Sequence, residues 1–184
     1  VVPISVDDNQ LFVPTVKTLR MNVFKPTVPT EGKTPVIIQI HGYGGTYSDL
    51  RNPYPNYLAN GYTLIGIDLR NYPCNTFPDY VYDIKGAVRY IRANAERFGI
   101  DPDRIGCQGQ SLGGNSTLIL AVTGDDPELE GTVGGNLEYS SRIQAAVAGF
   151  AWSELLYMGK DILEEYEGFP EIQKQKWGRT DGPM

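Results

Sequence analysis

The chain has 184 residues, 41% of them hydrophobic, which is enough for one domain with a sizeable buried core. Its formal net charge is −6 and its Lys and Arg residues are scattered, so the basic stripe that nucleic acid or an anionic membrane surface needs is missing. No apolar run approaches the ~18 residues of a membrane span. His41 is the one histidine, and Cys74 and Cys107 are far apart and read as free thiols, so neither a metal site nor an activated cysteine nucleophile is indicated, and no cofactor is implied. The N-terminus lacks the charged-then-apolar form of a signal peptide, yet the sequence starts at Val1 without an initiating Met. The expectation is a soluble protein of the cytoplasm, or one exported after an upstream segment is removed.

Residues 1 to 30 read as a lead-in of short β segments, in which Leu19, Met21 and Val23 alternate with polar residues before Pro26 and Pro29. Val36 to Ile40 is a nearly continuous apolar run of the kind found in central parallel strands, and His41-Gly42-Tyr43-Gly44-Gly45 follows at once. Pro55 to Asn60 suits a short helix closed by Gly61, and Tyr62 to Ile67 a strand ending at Asp68. After a loop from Asn71 to Pro78, the spacing of Val81, Ile84, Val88, Ile91, Ala95 and Phe98 predicts one helix from Asp79 to Phe98, capped by Asp79 and ended by Gly99. Asp101 to Arg104 turns the chain into an apolar run from Ile105 to Cys107. A helix then runs from Ser111 to about Val122, followed by a polar loop over 124 to 141 and a buried strand from Ile143 to Phe150. Ser153 to Asp161 starts another helix, and the mixed charged and apolar residues beyond Lys160 suggest a surface helix or cap element.

Strands alternating with helices argue for a mostly parallel sheet covered on both faces, with a site beyond the carboxyl ends of the strands. The stretch that best fits a site is Gly109-Gln110-Ser111-Leu112-Gly113, set between a strand and a helix. A serine on so tight a turn needs neighbours without a Cβ two positions to either side, and Gly109 and Gly113 meet that need. The pentapeptide alone arises by accident in roughly one chain in ten of this size, so its strand-to-helix setting carries the weight. A glycine-rich turn that merely packs a helix on a strand remains the competing reading.

The sequence resembles the α/β-hydrolase fold, and within it the carboxylesterase branch that includes acetyl and feruloyl esterases. The resemblance is carried by His41 to Gly45, by Asp68-Leu69-Arg70, by Asp83 to Ile91, and most specifically by Asp101 to Gly114. It implies acyl transfer in two steps with Ser111 as nucleophile, on small acyl esters, acetylated or feruloylated sugars among them. It also implies an oxyanion hole made by the N–H groups of Leu112, Tyr43 and Gly44. His41 is either the general base or, as the resemblance implies, the residue that orients the oxyanion turn. Asp68 and Asp83 read as anchors, the first of Arg70 or a loop, the second of its helix to neighbouring backbone. Tyr43, Tyr47, Trp152, Tyr157 and Met158 are candidates for a substrate pocket or for plain core.

In that fold the acid and the histidine of the triad follow the nucleophile, and no histidine follows Ser111. Of the later aspartates, Asp125, Asp126, Asp161 and Asp181, only Asp161 is kept as a candidate acid. The fold also expects strands beyond Ile143 to Phe150. The chain is therefore read as residues 1–184 of the front portion of one α/β-hydrolase domain, with 153–184 the start of a cap or insertion, and a missing or companion chain supplying the last strands, the histidine and the acid. Two other readings stay open: a non-catalytic hydrolase-like binding module, and a serine peptidase of the prolyl-oligopeptidase type.

Overall fold

A computed structural model describes residues 5–8, 12–16, 18–46, 55–70 and 77–154. The chain divides into two compact units, Val1–Ala151 and Trp152–Met184. Of the second unit only residues 152–154 are described, so nearly all of the helix expected from Ser153 and of the cap element lies outside the described residues, as do Tyr47, Cys74, Tyr157, Met158 and Asp161.

In the first unit, β1 (Ser5–Asp8) and β2 (Phe12–Val16) pair as a separate antiparallel ribbon. The main sheet holds β3 (Met21–Phe24), β4 (Thr34–Ile40), β5 (Thr63–Ile67), β6 (Ile100–Gln110) and β7 (Ala145–Gly149) in the order β3-β5-β4-β6-β7. Only β3 runs antiparallel to its neighbour. Crossovers between the parallel strands carry α1 (Pro55–Ala59), then α2 (Asp79–Ala93) and α3 (Ala95–Phe98), then α4 (Leu112–Val122). The core joins Val36, Ile38 and Ile40 of β4, Ile65 and Ile67 of β5, and Ile84, Val88 and Ile91 of α2. These are the positions that a period of two in strands and three to four in helices brings to one face.

Four local expectations are corrected. The helix from Asp79 breaks at Asn94 (φ −105°, ψ 21°), where Asn94 Nδ2 donates back to the Tyr90 carbonyl at 2.9 Å. Gly99 does end α3, in the left-handed conformation (φ 58°). Asp79 caps nothing: Pro78 holds the cap position of α2, without a side-chain cap bond. Asp101 to Arg104 is not a turn ahead of a strand but a bulge inside β6, where pairing moves from Thr34↔Ile100 to Val36↔Ile105. Asp101 closes that bulge, accepting from the Asp103 N–H at 3.0 Å and from Arg104 Nε at 2.6 Å. Finally, β7 is not buried. Ala145, Ala146 and Ala148 are exposed and Val147 is 61% exposed, because among the described residues β7 pairs with β6 alone. An apolar run looks the same in sequence whether or not anything covers it.

A second surface of α2 is charged, with Lys85 and Arg89 buried and Arg92 half-buried. Lys85, Arg89 and Arg92 lie four and three residues apart, hence on one face, and residues 123–142 fold over that face. Glu130 reaches inward to accept from Lys85 Nζ at 2.7 Å, Arg89 Nη1 at 2.5 Å and Ser141 Oγ at 2.6 Å. Lys85 also donates to the Thr123 carbonyl, Arg89 Nη2 to Val133 O at 2.9 Å, and Arg92 to the carbonyls of Ser140 and Arg142. At the far end Asp125 binds Ser140, the Ser141 N–H and Arg142 Nε. The polar loop is thus a strap, tied down by buried cations.

Burial disfavours the Glu130 carboxylate, but hydrogen bonds from Lys85, Ser141 and Arg89 and the charge of Lys85 outweigh it and hold this carboxyl below its ordinary 4.5. A carboxyl depressed in this way stabilises the fold above its ordinary value, and the contribution is lost as pH falls through its folded value. The unfolding free energy from urea titration is expected to decline as pH falls below the ordinary 4.5, and Glu130→Gln to make that decline shallower.

Candidate active site

The site grows from the carboxyl ends of β4 and β6. These two strands sit side by side where the sheet's order reverses, since β5 follows β4 in sequence on one flank and β6 lies on the other. A crevice opens at such a point because the crossovers on its two sides leave in different directions.

At the end of β6, Ser111 takes φ 56° and ψ −122°, and α4 begins at the next residue. This is a region that serine rarely occupies. Glycines permit the turn. A Cβ at Gly109 would run into the backbone of Gly113, and one at Gly113 into the carbonyl oxygens of Ile40 and His41. Gly114 is pinned in the same way against the Gly149 carbonyl. The Asn115 N–H donates to the Ser111 carbonyl at 2.9 Å, starting the helix, and the Ser111 N–H donates to Gly149 O at 3.0 Å. Ser111 itself is exposed. Gly149 is a brace that sequence reasoning misses, since it acts through its carbonyl and offers no side-chain signal.

At the end of β4, His41 is 4% exposed. Its Nδ1 lies 2.8 Å from the Gly42 carbonyl, which can only accept, so Nδ1 carries the proton. Its Nε2 is buried without a hydrogen-bond partner among the described residues. The Gly45 N–H closes a turn onto Gly42 O at 3.1 Å, and Gly44 occupies the left-handed position of that turn (φ 75°), which explains the glycine there. Tyr43 points outward, 68% exposed. Because Gly113 rests on the carbonyls of Ile40 and His41, the Gly42–Gly45 turn and the Ser111 elbow are mounted on the same strand end. Leu112 follows Ser111 as the first residue of α4.

The flanking carboxylates are structural in their contacts. Asp68 accepts from the Arg20 N–H at 3.3 Å and so holds the segment ahead of β3. Asp83 accepts from the Arg70 N–H at 2.8 Å and from its guanidinium at 2.9–3.1 Å, tying α2 to the end of β5. Burial pushes the Tyr80 phenol above its ordinary 10.0, partly offset by a hydrogen bond with Asn115 one turn past Ser111. The Cys107 thiol is buried and pushed up to about 12, with Thr117 Oγ1 at 3.5 Å, which leaves it inert as a nucleophile. Of the pocket candidates, Tyr43 and Trp152 are described, and both are exposed. Among the described residues no group of three His, Cys, Asp or Glu side chains could hold a metal ion, and no helix is long and apolar enough to cross a membrane.

Residues 21–176 match the sequence profile of the BD-FAE family. The chain belongs to the BD-FAE family. It is 35% identical over 127 residues to "Probable carboxylic ester hydrolase LipM" of Mycobacterium tuberculosis, a match covering 67% of this chain and 29% of that protein. The chain thus spans under a third of that relative's length. Among solved structures it resembles a "Bifunctional GH43-CE" protein of Bacteroides eggerthii, with a TM-score of 0.70, 26% identity, and coverage of 76% of this chain and 20% of the other. It also resembles Thermogutta terrifontis esterase 2, in a structure described as phosphorylated by paraoxon, with a TM-score of 0.60, 25% identity, and coverage of 70% and 50%. With these likenesses, the parallel sheet and its helices make this BD-FAE chain part of an α/β-hydrolase fold.

Proposed function

We propose that this protein is a serine ester hydrolase that acts on small acyl esters through an acyl-enzyme formed on Ser111. The observation that carries the reading is the strained, exposed position of Ser111 (φ 56°) at a strand-to-helix junction where Gly109, Gly113 and Gly114 have no room for a Cβ. Backbone strain of this kind persists where the surrounding structure enforces it, most often at functional sites. The esterase relatives support the reaction class.

In the first step Ser111 Oγ attacks the ester carbonyl and its proton passes to an imidazole. The tetrahedral oxyanion is held by the N–H groups of Leu112, Tyr43 and Gly44. The C–O bond to the alcohol then breaks, the imidazolium returns the proton to the leaving alcohol, and water repeats the sequence to free the acid. Donors fixed before charge develops are worth about 3 kcal/mol each. His41, whose Nδ1–H is committed to the Gly42 carbonyl, orients the oxyanion turn. Since His41 is the only histidine among these 184 residues, the imidazole that activates Ser111, together with its acid, belongs to polypeptide beyond them, on a companion chain or in further sequence. By themselves the 184 residues are then expected not to turn over.

A fluorophosphonate probe tests this in the protein as the cell makes it. Covalent labelling mapped to Ser111, with cleavage of a small acyl ester, is the expected result. No labelling would leave a hydrolase-like binding module. Faster cleavage of aminoacyl amides than of esters would favour a peptidase.

A further inference from the structure

β6 and β7 end in register. Gln110 and Gly149 are Cα partners, so the residues that follow them, Ser111 and Phe150, leave the sheet side by side. Both leave it with a positive φ, 56° at Ser111 and 52° at Phe150. The other two described non-glycine residues with positive φ are Asp125 and Asn136, types that tolerate this region. A phenylalanine does not: its bulk makes the conformation a true outlier, where glycine or asparagine would sit without strain. Among the described residues the ring also lies outside the core, Phe150 being 83% exposed. Its backbone is nonetheless clamped to the elbow, because the Gly149 carbonyl accepts the Ser111 N–H at 3.0 Å and Gly114 packs against that carbonyl. Strain enforced at a residue whose ring lies outside the described core points to what it faces.

We propose that Phe150 is a specificity-determining residue of the Ser111 site, its ring forming the β7-side wall against which an apolar, ring-sized substituent of the ester packs. The proposal rests on the ester-hydrolase reading. The geometry divides the site simply. On the β4 flank the Gly42–Gly45 turn meets the carbonyl oxygen, and on the β7 flank Phe150 meets the substituent that projects away from it. An aromatic face held by the backbone, and not by a long flexible side chain, offers such a group a fixed apolar surface.

The test compares wild type, Phe150→Gly and Phe150→Tyr in the complete protein, on ethyl acetate, ethyl phenylacetate and benzyl acetate. Glycine adopts the native φ freely, so Phe150→Gly is expected to fold, as thermal unfolding will verify, and Phe150→Asn gives a second ring-less variant. In Phe150→Gly the ratio of kcat/KM for one of the two ring-bearing esters to that for ethyl acetate is expected to fall about tenfold, through KM, with Phe150→Tyr restoring it. Which ester responds identifies whether the acyl or the alcohol side faces the ring. An unchanged ratio, including an equal loss on all three esters, overturns the proposal while leaving the hydrolase reading intact. If wild-type Ser111 takes no fluorophosphonate label and none of the esters is cleaved, it is the hydrolase reading that fails, and this inference with it.

Discussion

Replacing Ser111 by alanine in the complete protein is expected to lower kcat/KM on a small acyl ester by about 10⁴-fold or more while leaving the fold intact. The size follows from what the substitution removes. Without Oγ no acyl-enzyme can form, and only the oxyanion donors and substrate positioning still act on attack by water. The fold should survive because alanine keeps a Cβ where serine had one and the hydroxyl fills no core space, Ser111 being exposed. Ser111→Gly makes the complementary comparison: it relieves the φ of 56° and should be the more stable of the two variants, yet equally inactive. Steady-state kinetics alongside urea unfolding measures both. If Ser111→Ala kept within about tenfold of wild-type kcat/KM, nucleophilic catalysis by this residue would be excluded.

Glu130→Ala is expected to destabilise the fold by about 3–5 kcal/mol, measured by urea unfolding at neutral pH. The carboxylate is the shared counter-ion of Lys85 and Arg89, whose side chains are 0% and 1% exposed. Removing it leaves two buried cations without their anion, and breaking a buried pair from one side costs far more than the intact pair contributes. Two controls separate charge from shape. Glu130→Gln keeps the volume and some hydrogen bonds and should fall between wild type and Glu130→Ala. The double variant Glu130→Leu/Arg89→Met, which removes an anion and a cation together, should recover a substantial part of the loss. If Glu130→Ala cost less than about 1 kcal/mol, the strap would be held by its backbone contacts and not by charge.

The contrast between these two residues shows what can be read from a sequence. Ser111 is legible because the constraint on it is local: glycines two positions away on either side, an apolar strand before and a helix after. The strands β4 and β5 and the inner stripe of α2 are legible because burial imprints a period on neighbouring residues. Glu130 is illegible, since its partners Lys85 and Arg89 lie 45 and 41 positions away, and nothing in a polar loop marks which carboxylate turns inward. The break at Asn94 turns on one amide bonding back to the helix, a choice that propensity does not decide. The β6 bulge is hidden because Asp101-Pro102-Asp103-Arg104 has the composition of an ordinary turn. At the candidate site, sequence reasoning singles out His41, Gly109, Gly113 and the Gly42–Gly45 turn, but not the Gly149 carbonyl or the positive φ of Phe150, which are backbone features that leave no side-chain pattern.

The seating of Gly113 on the carbonyls of Ile40 and His41 has a mechanical consequence. Three glycine positions, 109, 113 and 114, have no room for a methyl group, so the bend that carries the hydroxyl and the loop across from it are cast as one rigid piece. A side chain added at any of these positions would push the nucleophile's turn and its neighbours apart. Side chains on its rim are less constrained, Tyr43 being 68% and Phe150 83% exposed among the described residues.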